Sequence, residues 1–92
     1  MEKELWVWNG RPLCFTKHAI REMYVLSFAP EDMIKMLNFG LNCPKSRRQK
    51  GIIEICTNYQ RNNYKIVVSD DISHWRNDSC WTIIHIKRFD WR

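Results

Sequence analysis

A chain of 92 residues is the size of one domain, spanning 1–92. Its 45% hydrophobic and 27% charged residues match an ordinary globular protein and exclude a disordered tail, a collagen-like repeat and a membrane-embedded chain. Fifteen Lys and Arg against ten Asp and Glu leave a net charge of +5, which favours an anionic partner.

The first segment, Glu4 to Phe15, reads as a hairpin. Leu5-Trp6-Val7-Trp8 suits a strand, and Asn9-Gly10 is a strong two-residue turn signal because both positions tolerate positive φ. Pro12 confines the returning arm to an edge or a short ladder. Thr16 then fits a helix N-cap. The helix from Lys17 to about Tyr24 places Ala19, Ile20 and Met23 on one apolar face. A second helix starts at Pro30, with Glu31 and Asp32 at the positive end of its dipole. Met33, Ile34 and Leu37 form its stripe, and Gly40 suits a left-handed cap. Both helices are too short to stand alone and need a sheet beneath them.

Leu41 to Lys50 reads as a loop carrying Lys45, Arg47, Arg48 and Lys50 without one acid. Three strands follow, at Gly51–Tyr59, Tyr64–Ser69 and Cys80–Phe89, rich in β-branched and aromatic residues. Arg61-Asn62-Asn63 links the first two, and a polar loop from Asp70 to Ser79 links the last two. Strands and helices in blocks give an α+β fold: a twisted antiparallel sheet, hairpin plus three-stranded meander, with two short helices on one face. Trp91, close to the end of the sequence, is expected to pack on the body or on a second chain, so an oligomer is compatible with this reading.

No apolar run approaches the roughly 20 residues of a spanning helix. Met1-Glu2-Lys3-Glu4 has no signal-peptide character. A cytoplasmic protein with no membrane partner is expected. The four cysteines, at 14, 43, 56 and 80, lack CxxC spacing. In a reducing cytosol free thiols are the expectation, with a disulfide or a structural zinc as alternatives.

Phe15-Thr16-Lys17-His18-Ala19-Ile20-Arg21-Glu22-Met23 resembles the opening signature of a small prokaryotic family of unknown function, grouped with the RelE/ParE/BrnT-like toxins. Glu31-Asp32-Met33 through Gly40 matches its second-helix element. The run from Cys43 to Gly51, then Glu54 and Cys56, is similar to an archaeal branch, as is Cys80-Trp81-Thr82-Ile83-Ile84-His85. The likeness covers most of residues 13 to 89. It implies a RelE-like helix-on-sheet fold, and an activity on messenger RNA silenced by a protein antitoxin.

The residues themselves offer a compatible chemistry. Metal-independent RNA cleavage needs a base for the 2′-hydroxyl, an acid for the leaving oxygen and cations for the phosphorane. His18 lies in the first turn of its helix, with Arg21 one turn on along the same face. His85 lies mid-strand. Strict alternation places it with Trp81, Ile83 and Lys87, opposite Thr82, Ile84 and Ile86. The candidate catalytic residues are therefore His18, Arg21 and His85. Lys45, Arg47, Arg48 and Lys50 are candidates to bind phosphate, and Trp81, Tyr59 or Trp75 to stack on a base. No cofactor or metal is implied. A non-catalytic nucleic-acid-binding module and a cysteine-linked structural or zinc-binding domain are the alternative functions.

Overall fold

The computed structural model describes residues 6–43, 51–73 and 78–89, with the backbone alone for 71–73, 78 and 79. The order is β1 (Val7–Trp8), β2 (Arg11–Phe15), α1 (Lys17–Leu26), α2 (Pro30–Phe39), β3 (Leu41–Asn42), β4 (Ile52–Tyr59), β5 (Asn62–Ser73) and β6 (Asp78–Phe89). The architecture is α+β, with two helices and a six-stranded mixed sheet ordered β1-β2-β6-β5-β4-β3.

Asn9 and Gly10 turn the first hairpin with φ of 52° and 80°, both in the left-handed region, which matches the right-handed twist of the flanking strands. The hairpin then enters the sheet in a way local pattern does not reveal. β2 pairs with β6 in parallel, through Leu13↔Trp81, Cys14↔Thr82 and Phe15↔Ile83. The expected all-antiparallel sheet is thus corrected to a mixed one. Pro12 is compatible because it sits opposite Val7, outside the parallel ladder. The remaining pairings, β3 with β4, β4 with β5 and β5 with β6, are antiparallel.

Thr16 caps α1 by accepting the Ala19 N–H at 3.0 Å. The inward face carries Ala19 and Met23, whereas Ile20 lies on the outer side at 53% exposure, contrary to the sequence reading. α1 ends at Ser27, whose φ of 62° lets Phe28 N–H reach back to the Met23 carbonyl at 2.8 Å. α2 starts at Pro30, and the Asp32 carboxylate accepts the Ala29 N–H at 2.8 Å. Its buried residues are Met33, Met36 and Leu37. α2 touches both β1 and β4, which stand four places apart in the sheet order, so the sheet curls around it. Among the described residues the buried apolar side chains form one cluster. It joins both helices to Leu13, Ile55, Tyr64, Ile66, Val68, Trp81, Ile83 and Ile86.

Gly40 is not left-handed. Its φ of −81° and ψ of 168° are extended, open to any residue. Glycine is needed there for space: a Cβ would run into Ile55 Cγ2 and lie 2.9 Å from the Met36 carbonyl oxygen. Gly40→Ala is therefore expected to destabilise the fold by about 1–3 kcal/mol, the usual range for overpacking, as read by urea unfolding.

The second link of the sheet also differs from expectation. Gln60 and Arg61, at φ of 51° and 70°, make the β4–β5 turn, and Asn62 and Asn63 already belong to β5. The predicted loop from Asp70 to Ser79 is mostly strand, because β5 runs to Ser73 and pairs with β6 from Asp78. Cross-strand pairing overrides the poor β propensity of Asp70 and Asp71. Asp70 is held by Arg11 Nη1 at 2.8 Å.

Cys43 and Cys56 form a disulfide, with Cα atoms 5.0 Å apart, where free thiols were expected. The Leu41↔Cys56 register of β3 on β4 brings them together. Cys14 and Cys80 remain outside this bridge.

Asp32 also receives the Tyr59 hydroxyl at 2.6 Å, tying α2 to the end of β4. That bond, then the Ala29 N–H, holds the Asp32 carboxyl below its ordinary value of 3.8. The same bond to Asp32 raises the Tyr59 hydroxyl above 10.0. A lowered acid stabilises the fold above its unfolded pKa and stops doing so as pH falls through its folded one. A raised tyrosine contributes below its unfolded pKa and is lost as pH climbs through the folded value. Their joint contribution is therefore whole between the acid and alkaline limbs. Asp32→Ala is expected to cost about 1–2 kcal/mol at neutral pH. It should also flatten the acid limb of a stability-versus-pH curve, and an unchanged acid limb would count against this pairing.

Candidate functional site

The site forms where β2 stops and α1 begins. β2 follows β6 only as far as the Phe15↔Ile83 pair. Thr16 then donates its backbone N–H to the Ile83 carbonyl at 3.1 Å, and its hydroxyl reaches the Ile84 carbonyl at 3.3 Å. Beyond this junction α1 takes the place of a neighbouring strand. The Ile86 N–H donates to Glu22 Oε1 at 2.7 Å, so a helix carboxylate satisfies a strand donor beyond the end of β2.

A bulge in β6 sets the position of His85. Val67 pairs with His85 but Val68 pairs with Ile83, so Ile84 is an extra residue. Burial follows: Trp81, Ile83 and Ile86 are buried, and the strict alternation expected from sequence is broken after Ile83. The bulge leaves His85 half-buried beside α1.

His18 and Glu22 are four residues apart on α1 and so share a face. His18 Nε2 lies 3.2 Å from Glu22 Oε2, and His85 Nδ1 lies 3.0 Å from the same oxygen. The two ring nitrogens are 3.1 Å from each other. The imidazoles meet edge to edge, with centroids 5.1 Å apart and planes 10° from parallel. Next to this triad a cleft of about 420 Å³ opens between α1 and β6, lined by His18, Arg21 and Glu22 from one side and Ile86, Lys87 and Arg88 from the other. The cleft therefore presents the cationic side chains of Arg21, Lys87 and Arg88 beside His18 and Glu22, and His85 touches both of the latter.

His18, Arg21 and His85, named separately in the sequence, thus occupy one locality: the two histidines touch, and Arg21 and His18 line the same cleft. Trp81 is placed elsewhere. It is 7% exposed, edge-on to Trp8 at 5.4 Å and covered by the Arg11 guanidinium 3.8 Å above its ring, so no face is open for a base to stack on. Tyr59 is engaged by Asp32 and by Phe28. Lys45, Arg47, Arg48 and Lys50, like Trp75 and Trp91, lie outside the described residues. Cys43 and Cys56, being bonded to each other, offer no thiolate for a metal.

Two participants escaped the sequence reading. Glu22 was legible in principle as a carboxylate four residues after a helical histidine. Arg88 was not, because only the packing of α1 along β6 makes the end of that strand part of a cleft. No helix among the described residues is long and apolar enough to cross a membrane. Comparison of the chain with family models, with curated proteins and with solved structures finds no match.

Proposed function

We propose that this protein is a ribonuclease of the toxin type with a RelE-like fold, acting on messenger RNA and held in check by a protein antitoxin. The observation that supports it is the convergence of His18 and His85 on Glu22, at 3.0–3.2 Å, beside a cleft rimmed by Arg21, Lys87 and Arg88.

The chemistry follows from the inner and outer nitrogens of each ring. A carboxylate that accepts an inner N–H fixes the tautomer whose lone pair is on the outer nitrogen. Glu22 takes this role for His18 Nε2 and His85 Nδ1, leaving His18 Nδ1 and His85 Nε2 for proton exchange with a substrate. One outer nitrogen removes the 2′-hydroxyl proton. The 2′-oxygen bonds to phosphorus, the bond from phosphorus to the 5′-oxygen breaks, and the other ring, protonated, returns a proton to the leaving oxygen. The products are a 2′,3′-cyclic phosphate and a 5′-hydroxyl. Arg21 and Arg88 can fork onto the non-bridging oxygens, with Lys87 as a point charge.

The test is incubation of the purified chain with single-stranded and ribosome-bound RNA, in the presence of a chelator. Cyclic-phosphate ends are the expected product. Intact RNA from both substrates, together with harmless expression in cells, would overturn the reading.

A further inference from the structure

The inner atoms of the triad pose a problem of proton inventory. His18 Nε2, His85 Nδ1 and Glu22 Oε2 are in mutual contact, at 3.0, 3.1 and 3.2 Å. If both nitrogens carry protons, each satisfies the carboxylate but the two N–H groups face one another. If only one does, the other nitrogen sets a bare lone pair against a carboxylate oxygen. Around a carboxylate, no placement of the ring protons makes all three contacts favourable at once. A cation at the centre does, because each atom then directs a lone pair at it.

The geometry agrees. Zinc bonds of about 2.0–2.1 Å to imidazole and carboxylate place neighbouring ligand atoms of a tetrahedron about 3.3 Å apart. The three edges here need only a few tenths of an ångström of expansion. Glu22 is already oriented by the Ile86 N–H on its other oxygen, the kind of outer contact that supports metal carboxylates. The side chain of His18 is 60% exposed, so an ion has an entry path and a fourth position open to water or an anion. Two imidazoles with one carboxylate suit Zn²⁺ or its transition-metal neighbours better than Mg²⁺ or Ca²⁺, which prefer oxygen.

We propose that His18, Glu22 and His85 form a binding site for one divalent transition-metal ion, and that the ion switches the ribonuclease off. The second half rests on the proposed function; the first does not. Coordination through Nε2 of His18 and Nδ1 of His85 moves the remaining ring proton of each to the outer nitrogen. Neither ring then has a free lone pair with which to accept the 2′-hydroxyl proton. Metal binding and metal-independent cleavage are alternative states of the same two side chains.

The full chain, stripped with chelator and dialysed, is titrated with Zn²⁺ by calorimetry, and with Co²⁺ by visible absorption. One ion per chain is expected, with Co²⁺ developing the intense bands of a four-coordinate site. His18→Ala, on an exposed side chain, should weaken Zn²⁺ binding at least about 100-fold, since even outer partners of metal ligands are worth 10–100-fold. Glu22→Gln keeps an oxygen for the Ile86 N–H and should also weaken binding while the circular dichroism is unchanged. Zinc affinity unaltered in both variants overturns the site. Stoichiometric zinc should suppress RNA cleavage and chelator should restore it; cleavage that increases with zinc loading overturns the switch. A chain that binds zinc through these residues but never cleaves RNA would defeat the proposed function and the switch, and leave the metal site standing.

Discussion

Replacing His85 by alanine is expected to slow RNA cleavage about 10²–10⁴-fold, the usual contribution of a positioned acid or base. His85 is held within reach of both partners by the β6 bulge, so the loss should appear in the rate of chemistry more than in RNA affinity, which the cations dominate. His18→Ala should lose a similar factor. The double variant should lose little more than the worse single one, because groups that act as a unit are strongly non-additive. Arg21→Ala makes the opposite split: weaker binding, and a shallower dependence on salt, by removal of one phosphate contact. Initial rates at several RNA and salt concentrations separate these cases. An unchanged rate in His85→Ala, with the fold intact by circular dichroism, would remove the triad from the chemistry.

Reduction of the Cys43–Cys56 bridge is expected to lower stability by about 3 kcal/mol, the value for a loop near its separation of 13 residues. For a domain of this size that corresponds to a melting temperature lower by roughly 12–24 °C. The bridge joins Cys43, the residue after β3, a strand of only two residues, to the middle of β4. So short an edge strand has little pairing to hold it once the covalent tie is gone. Urea unfolding with and without reductant, repeated on Cys43→Ser/Cys56→Ser, measures the effect. Equal stability of the reduced and oxidised proteins would show that strand pairing alone holds β3.

The proposed triad and the bridge share a feature: their members are distant in sequence. His18 and His85 are 67 residues apart, and no local pattern says that they meet. The same holds for the parallel pairing of β2 with β6, which joins segments of no evident kinship. Periodicity also misjudged details that depend on neighbours. Ile20 looks like a core residue by spacing, but only the direction from which the sheet approaches α1 decides which flank of the helix is covered. Trp81 looks like an open stacking platform by alternation, yet the hairpin folds Trp8 and Arg11 over it.

What the amino-acid order determined by itself is everything whose physics lies within a few residues. The Asn9-Gly10 turn, the Thr16 cap, the Pro30 start of α2 and the apolar content of β4, β5 and β6 rest on backbone preferences and nearest neighbours, which do not wait for the rest of the chain. The tertiary structure alone decided the mixed sheet, the use of Gly40 as a gap for Ile55, the Cys43–Cys56 pairing and the meeting of two imidazoles on Glu22. Each of these depends on which surfaces come together when the sheet curls around α2, and on a single inserted residue, Ile84, that shifts the phase of β6. Such choices minimise the free energy of the whole packed assembly, and no segment read in isolation contains them.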